Sequence, residues 1–497
     1  MKILENPYKV ILVCLIFISF IIFLPVSQIS AKQDIKSSIN SYVETFLEKH
    51  RIPGASIAIV HDNKTFYSSG WGVTGESEVK VTTKTPFLLG SISKSLTGLA
   101  IMKLIEDDTI NLEDKVQKYI PWFTLKDQQA ASHITIKHLL SHTSGISTYS
   151  GLLIADQGSK DLNAIKNNVE NISNVEPTAL PGEKYQYSDA NYLILGALIE
   201  EVTNQTFSEF MKQYIFLPLG MKNTAADRDG AYKKGYLAGY QSWFGIPRKT
   251  TVTYDNGGAP YGYISASSED MAQYIKLLSQ KDRSVFLTKE NMNLFLSPLI
   301  QTKENRHYGF GWIITNLDSK EKMIWHSGST PDSRSEIFFL PKTGWGGIIL
   351  TNKNHALEEE ALSYLRDGII RILNGEKPDD IPKSSFTNQL IALVVLCLLF
   401  VTFIYLLIKI KSGKIRKRSA WRISGIIFLV LSISIIPLLI YSVGSPWHTI
   451  KLFAADIALS SVIIVILLIL NGLLSIYISC KNLRASINNN QGDNSFR

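Results

Sequence analysis

The chain has 497 residues, 45% of them hydrophobic, and a mean hydropathy of +0.08, too long for one small domain and too apolar for an ordinary soluble one. Seven of its lysines and arginines crowd into positions 409–422, leaving only +1 of the formal +8 charge elsewhere and excluding a basic nucleic-acid-binding surface. The three cysteines, Cys14, Cys397 and Cys480, all lie in or beside apolar runs, which excludes disulfides, cysteine-ligated zinc and thiol catalysis from the polar middle of the chain.

In chain order, Lys2 and Lys9 precede an apolar run from Val10 to Val26, followed by small residues up to Ala31. Residues 1–31 therefore read as an export signal, either cleaved after Ala31 or retained as an anchor. Residues 55–60 and 65–69, joined through His61-Asp62-Asn63-Lys64, predict a β-hairpin. The patterning then turns helical over 93–107, 134–141, 190–203, 206–215 and 268–279. Strands return at 309–315, 322–326, 334–340 and 346–350. Strands at both ends of a helical middle imply one antiparallel sheet covered by helices, an α+β domain over 32–380. Residues 146–180 and 222–258 carry weaker patterning and are expected to wall the site.

A short polar linker, 381–389, leads to three nearly charge-free spans at 390–408, 423–443 and 457–479, each long enough to cross a bilayer. The basic loop between the first two predicts a cytoplasmic side there. That orientation places the α+β domain outside the cell and the tail 480–497 inside, in agreement with the export signal.

The chemistry gathers around Gly90-Ser91-Ile92-Ser93-Lys94. Three-residue spacing puts the Ser91 hydroxyl and the Lys94 amine on one helix face, about one turn apart. A serine hydroxyl is a poor nucleophile until a neighbour takes its proton, and an amine can do so. A helix start also presents free N–H groups to developing negative charge. Ser-x-x-Lys alone is a weak signal. Downstream, however, lie Tyr187-Ser188-Asp189 and His326-Ser327-Gly328.

These three motifs, in this order, resemble the serine β-lactamase and penicillin-binding-protein superfamily, in its branch of class C β-lactamases, DD-peptidases and D-aminopeptidases. Ile52-Pro53-Gly54-Ala55, His138-Leu139-Leu140-Ser141-His142-Thr143-Ser144-Gly145, Pro218-Leu219-Gly220-Met221 and Tyr308-Gly309-Phe310-Gly311-Trp312 extend the resemblance across 45–352. It implies a β-lactamase/transpeptidase-like fold and a reaction through an acyl-enzyme on Ser91. Lys94 and Tyr187 would share the proton transfers, and which of them is the acylation base stays open. The backbone N–H groups of Ser91 and Ser329 would form the oxyanion hole, with Ser327, Gly328 and Asp189 lining the substrate. The implied substrate is a small molecule, peptide or cell-envelope component containing a D-amino acid, handled beside a lipid bilayer without cofactor, metal or nucleic acid. A signal, this domain and three terminal spans are similar to two subgroups: relatives of teichoic-acid D-alanyl esterases, and peptidases that remove an acyl-D-asparagine cap. A catalytically idle sensor or binding protein is the alternative.

Two residues depart from the family pattern. His326 stands where class C β-lactamases carry lysine, and a histidine only partly charged near neutral pH grips a carboxylate less firmly. Asp189 replaces the usual asparagine; it cannot donate an amide hydrogen bond, is expected to hold Lys94 charged, and would favour substrates with a free ammonium. Three matches are set aside. Lys342-Thr343-Gly344 spells the third motif but sits between two strands, as a hairpin turn does. Gly70-Trp71-Gly72-Val73-Thr74-Gly75 has no helix after it, and His138 with His142 lacks the glutamate of a zinc protease.

Overall fold

The computed structural model describes residues 27–75, 78–279, 286–317, 321–412 and 418–492, with 27–34 and 481–492 described by backbone only. Residues 1–26 of the expected export signal and part of the basic loop lie outside these. Helix α1, Ser27–Lys49, runs through the expected cleavage point into the domain.

A nine-stranded antiparallel sheet forms the centre. Its strands are β1 (Gly54–His61), β2 (Lys64–Thr74), β3 (Val79–Lys80), β4 (Ile300–Lys303), β5 (Arg306–Gly309), β6 (Trp312–Asn316), β7 (Lys322–Thr330), β8 (Ser333–Leu340) and β9 (Trp345–Thr351). Their order in space is β3-β2-β1-β9-β8-β7-β6-β5-β4, so β1 from the N-terminal part pairs with β9 from the C-terminal part, Ile57 opposite Ile349. This joins the two chain ends as the expected α+β fold requires. The expected strand 309–315 is instead two strands, because Phe310 and Gly311 adopt left-handed conformations that fold β5 back on β6.

Strand β1 is buried on both faces, which explains an apolar run broken only by Ser56, whose hydroxyl is 2.7 Å from that of Ser268. On one side Ala58, Val60, Ile348 and Leu350 join the main core with helix α2 (Ser93–Glu106), helix α3 (Asp189–Thr203) and helix α4 (Ser268–Ser279). On the other, Ile57, Ile59 and Ile349 meet Ile39, Val43 and Phe46 of α1 and Leu365, Ile369 and Ile372 of helix α5 (Ala361–Leu373). Within this second layer Glu336 of β8 is buried, and Arg366 of α5 reaches it with Nη1 2.9 Å from Oε2. Removing one partner of a buried pair costs about 3 kcal/mol or more, offset here only in part because Glu336 keeps the longer contact with Arg334 Nη2 at 3.5 Å. Arg366→Met is therefore expected to lower the thermal midpoint of the full-length protein by several degrees, and an unchanged midpoint would contradict this assignment.

Three long apolar helices follow: α6 (Thr387–Ser412), α7 (Arg418–Val443) and, after the short α8 (Trp447–Phe453), α9 (Ala455–Gly492). Each contains a stretch long and apolar enough to cross a membrane. Helices α6 and α7 both pack against α9.

Candidate active site

Ser91 lies in a 3₁₀ turn, Gly90–Ile92, that leads directly into α2, so the helix begins two residues after the hydroxyl. Gly90 has φ +54°, and a Cβ there would collide with the backbone of Gly328 and Ser329. Only glycine lets the Ser91 turn press against β7 at this point. The half of β7 that meets this turn, His326–Thr330, pairs with β8 alone, since β6 pairs only as far as Trp325. The backbones of Ser91 and Ser329 are thereby neighbours, as an oxyanion hole needs. Gly328 lies against Leu89, and its carbonyl accepts from Arg334 Nη1 at 2.8 Å.

Lys94 is completely buried one turn along. Its Nζ is 3.0 Å from Ser91 Oγ, 2.9 Å from the Tyr261 carbonyl and 2.6 Å from Asp189 Oδ1. Burial holds its pKa below the usual lysine range, while the Asp189 carboxylate pulls the other way. The expectation that Asp189 favours the charged form of this amine agrees with that pull, and desolvation works against it. Asp189 begins α3, pairs with Lys94 through Oδ1 and also lines a cavity beside Ser91.

The Tyr187 ring lies 4.9 Å from Lys94 Nζ, and its buried hydroxyl is close to that of Ser91, beside the same cavity. Burial pushes that phenol well above its ordinary range, Asp189 adds to the rise and the Ser91 hydroxyl opposes it. His142 packs on the ring at 4.4 Å; its Nδ1 accepts from Ser188 N and Asn191 Nδ2, which fixes it as a neutral prop. Tyr308 and Tyr185 complete this aromatic cluster.

His326 Nδ1–H donates to the Ser327 carbonyl at 2.6 Å, and its buried Nε2 has no partner among the described residues. Burial lowers its pKa to about 3. His326 is therefore a neutral ring at neutral pH whose buried Nε2 is a hydrogen-bond acceptor that offers a carboxylate no charge. The partly charged histidine expected above is corrected by burial.

Two cavities meet at Ser91. One, of about 510 Å³, is lined by Tyr185, Tyr187, His326, Ser327 and Ser329 and reaches Lys303, Arg306 and Arg334. The other, of about 650 Å³, contains Asp189, Asp156, Leu152 and Tyr261. Asp156 faces this second cavity deep within the protein; burial and the nearby Asp189 raise its pKa to about 7, and Tyr263 donates to it at 2.9 Å. Glu359 lines both cavities, accepts from the Ser329 hydroxyl, and lies beside Asn354. Neither Asp156 nor Glu359 belongs to a motif, so only the fold brings them in.

Of the three matches set aside, Lys342-Thr343-Gly344 forms the β8–β9 turn, with the Gly344 N–H bonded to the Leu340 carbonyl at 2.9 Å. Gly70–Thr74 runs inside β2. His138 caps its own helix. No group of three His, Cys, Asp or Glu among the described residues is placed to hold a metal ion.

The arrangement has known counterparts. Residues 39–369 match the family model described as Beta-lactamase. Protein flp of Staphylococcus aureus (strain MW2) is 30% identical over 471 residues, covering 88% of this chain and 91% of that protein. That share is too large to be confined to residues 1–386, so the likeness extends into the terminal helices. Penicillin-binding protein 4* of Bacillus subtilis (strain 168) is 28% identical over 369 residues, 71% of this chain and 79% of that one. Among solved structures, the octameric penicillin-binding protein homologue from Pyrococcus abyssi superposes with a TM-score of 0.59 at 26% identity, over 69% of this chain and 78% of that chain.

Proposed function

The chain belongs to the β-lactamase family, and from that premise we propose that it is a membrane-anchored serine hydrolase that cleaves a peptide, ester or lactam bond next to a D-amino acid. The observation that carries this reading is the desolvated Lys94 amine 3.0 Å from the Ser91 hydroxyl. Once Lys94 has lost a proton, its lone pair accepts the Ser91 proton as Oγ attacks the substrate carbonyl carbon. The oxyanion faces the N–H groups of Ser91 and Ser329. The bond to the leaving group breaks, that group takes the proton back, and an ester to Ser91 is left for water to hydrolyse. Burial lowers the pKa of Lys94 and raises that of Tyr187, so Lys94 is the acylation base and Tyr187 a neutral phenol that relays the proton.

The D-configuration rests on the motif order and on likeness to a penicillin-binding protein. The basic residues between α6 and α7 orient the domain to the outer face. An idle sensor is disfavoured, because mere binding does not require a buried lysine amine 3.0 Å from a serine hydroxyl with a phenol beside them. In a panel of N-acyl-Ala esters and amides given to the full-length protein, the D-forms are expected to turn over and the L-forms not. Ser91→Ala is expected to cut kcat/KM at least ~10³-fold. Equal turnover of both enantiomers would remove the D-specific reading.

A further inference from the structure

We propose that Arg334 is a positioning residue for the oxyanion hole: it grips the Gly328 carbonyl and so aims the Ser329 N–H at the oxygen that becomes negative. This deepens the hydrolase reading and rests on it. A trans peptide is planar, and its C=O and N–H point in opposite directions. The Gly328 carbonyl and the Ser329 N–H belong to one such unit, so whatever fixes the first sets the direction of the second. Arg334 stands opposite Ser329 on β8. Its Nη1 donates to the Gly328 carbonyl at 2.8 Å. The Ser329 N–H is left pointing away from that bond, toward the Gly90–Ser91 turn, whose backbone lies against the Ser329 nitrogen.

This peptide needs such a hold because one side of its strand is open. Strand β6 stops pairing with β7 at Trp325, so the ladder steadies His326–Thr330 from β8 alone. The other edge faces the cavities at Ser91, where a peptide is free to tilt. A misplacement of about 1 Å is enough to cost a reaction about 10²-fold in rate. A hydrogen bond from a guanidinium is charge-assisted and about twice as strong as one between neutral groups. It also polarises the amide, which makes the Ser329 N–H a better donor.

Arg334 is itself anchored. Its Nε donates to the Glu359 carbonyl at 3.2 Å, and its Nη2 lies 3.5 Å from Glu336 Oε1. Glu336 is buried and in turn bonded to Arg366 of α5 at 2.9 Å. Buried ion pairs add little net stability over apolar residues of the same volume. Here the chain Arg366–Glu336–Arg334 supplies direction, because it ends on the peptide that carries the oxyanion donor. The Ser329 side chain is fixed separately: its hydroxyl donates to Glu359 and accepts from Asn354 Nδ2 at 2.7 Å. Those bonds hold the residue, and the tilt of the peptide before it is left to Arg334. Arg334 does line the 510 Å³ cavity, yet each of its three nitrogens already has a protein oxygen within 3.5 Å. Its geometry is that of a clamp and not of a contact held open for a substrate anion.

The test gives full-length protein a neutral N-acyl-D-alanine ester and its thiono analogue, in which the scissile C=O is C=S. Sulfur accepts hydrogen bonds weakly, so the thiono ester draws little on an oxyanion hole. Arg334→Met is expected to lower kcat for the oxo ester about 10²-fold with KM nearly unchanged, and that for the thiono ester less than about fivefold. The oxo-to-thiono ratio therefore falls. Arg334→Lys keeps the charge without the planar fork and is expected to lower the same ratio at least about tenfold, which decides the matter if Arg334→Met does not fold. Equal losses on both esters would mean a packing role, and a ratio restored by lysine would mean a through-space charge effect. A raised KM with kcat intact would mean a direct substrate contact. Each of these overturns the proposal. A wild-type protein that gains no Ser91 adduct from a fluorophosphonate would remove the hydrolase reading itself, whereas a Ser91 adduct with an unmoved ratio removes only the clamp.

Discussion

Lys94→Met is expected to lower kcat/KM by about 10³-fold, within the range set by loss of a general base. It is also expected to destabilise the protein, because the Asp189 carboxylate 2.6 Å away loses its counter-ion in a buried setting. The cost of such a stranded charge is about 3 kcal/mol. The double variant Lys94→Met/Asp189→Asn removes both charges, so its thermal midpoint should recover most of the loss while its activity does not. Were Lys94 only a structural cation, activity would return together with stability. The single variant Asp189→Asn carries the complementary expectation. Lys94 acts as a base in its neutral form, so activity rises with pH as the amine loses its proton. Asp189 raises the Lys94 pKa, and its removal moves that rising limb to lower pH. A limb that stays in place in the pH profile of kcat/KM would show that another group sets it.

Tyr187→Phe should also separate stability from catalysis. The hydroxyl is buried close to that of Ser91 and is not needed to fill the aromatic cluster. Phenylalanine keeps the ring between His142 and Lys94 and deletes only the oxygen. The variant is therefore expected to keep the wild-type melting temperature and to turn over about 10²-fold more slowly. A lower midpoint with unchanged kcat would mean that the hydroxyl serves packing or bonding and not proton transfer.

What the sequence disclosed follows from the range over which each signal acts. The Ser91–Lys94 pair is legible because helical spacing alone sets it, and helix 268–279 is found at its expected bounds. The strands at 54–61 and 345–351 are legible as apolar runs, and their pairing follows from joining the two ends of the domain. Residues 206–215 read as one helix, yet α-helical turns stop at Phe210 and continue as a π-helix over Met211–Phe216. Periodicity near 3.6 does not distinguish the two over so short a stretch. Residues 146–180, patterned too weakly to predict, hold helices at Thr148–Ile154 and Ala164–Glu170 and deliver Asp156 to the site between them. Helix α5 was not predicted, although its apolar face at Leu365, Ile369 and Ile372 carries the i, i+4, i+7 spacing that would have revealed it.

Charge states were the least legible. His326 reads as partly charged from residue type alone, and desolvation makes it neutral. Burial depth is a property of the whole fold, which no local window contains. The contact between the hydrolase domain and α9 is of the same kind. His355 and Asp456 meet there from 101 residues apart, each unremarkable where it occurs in the chain.

The central claim is that Ser91, activated by Lys94, becomes acylated, and intact-mass analysis of the full-length protein after exposure to penicillin and to a fluorophosphonate tests it most directly. The account predicts a single adduct, located on Ser91 by peptide mapping and missing from Ser91→Ala. An adduct that persists in Ser91→Ala, or a wild-type protein that takes up neither reagent, would contradict it.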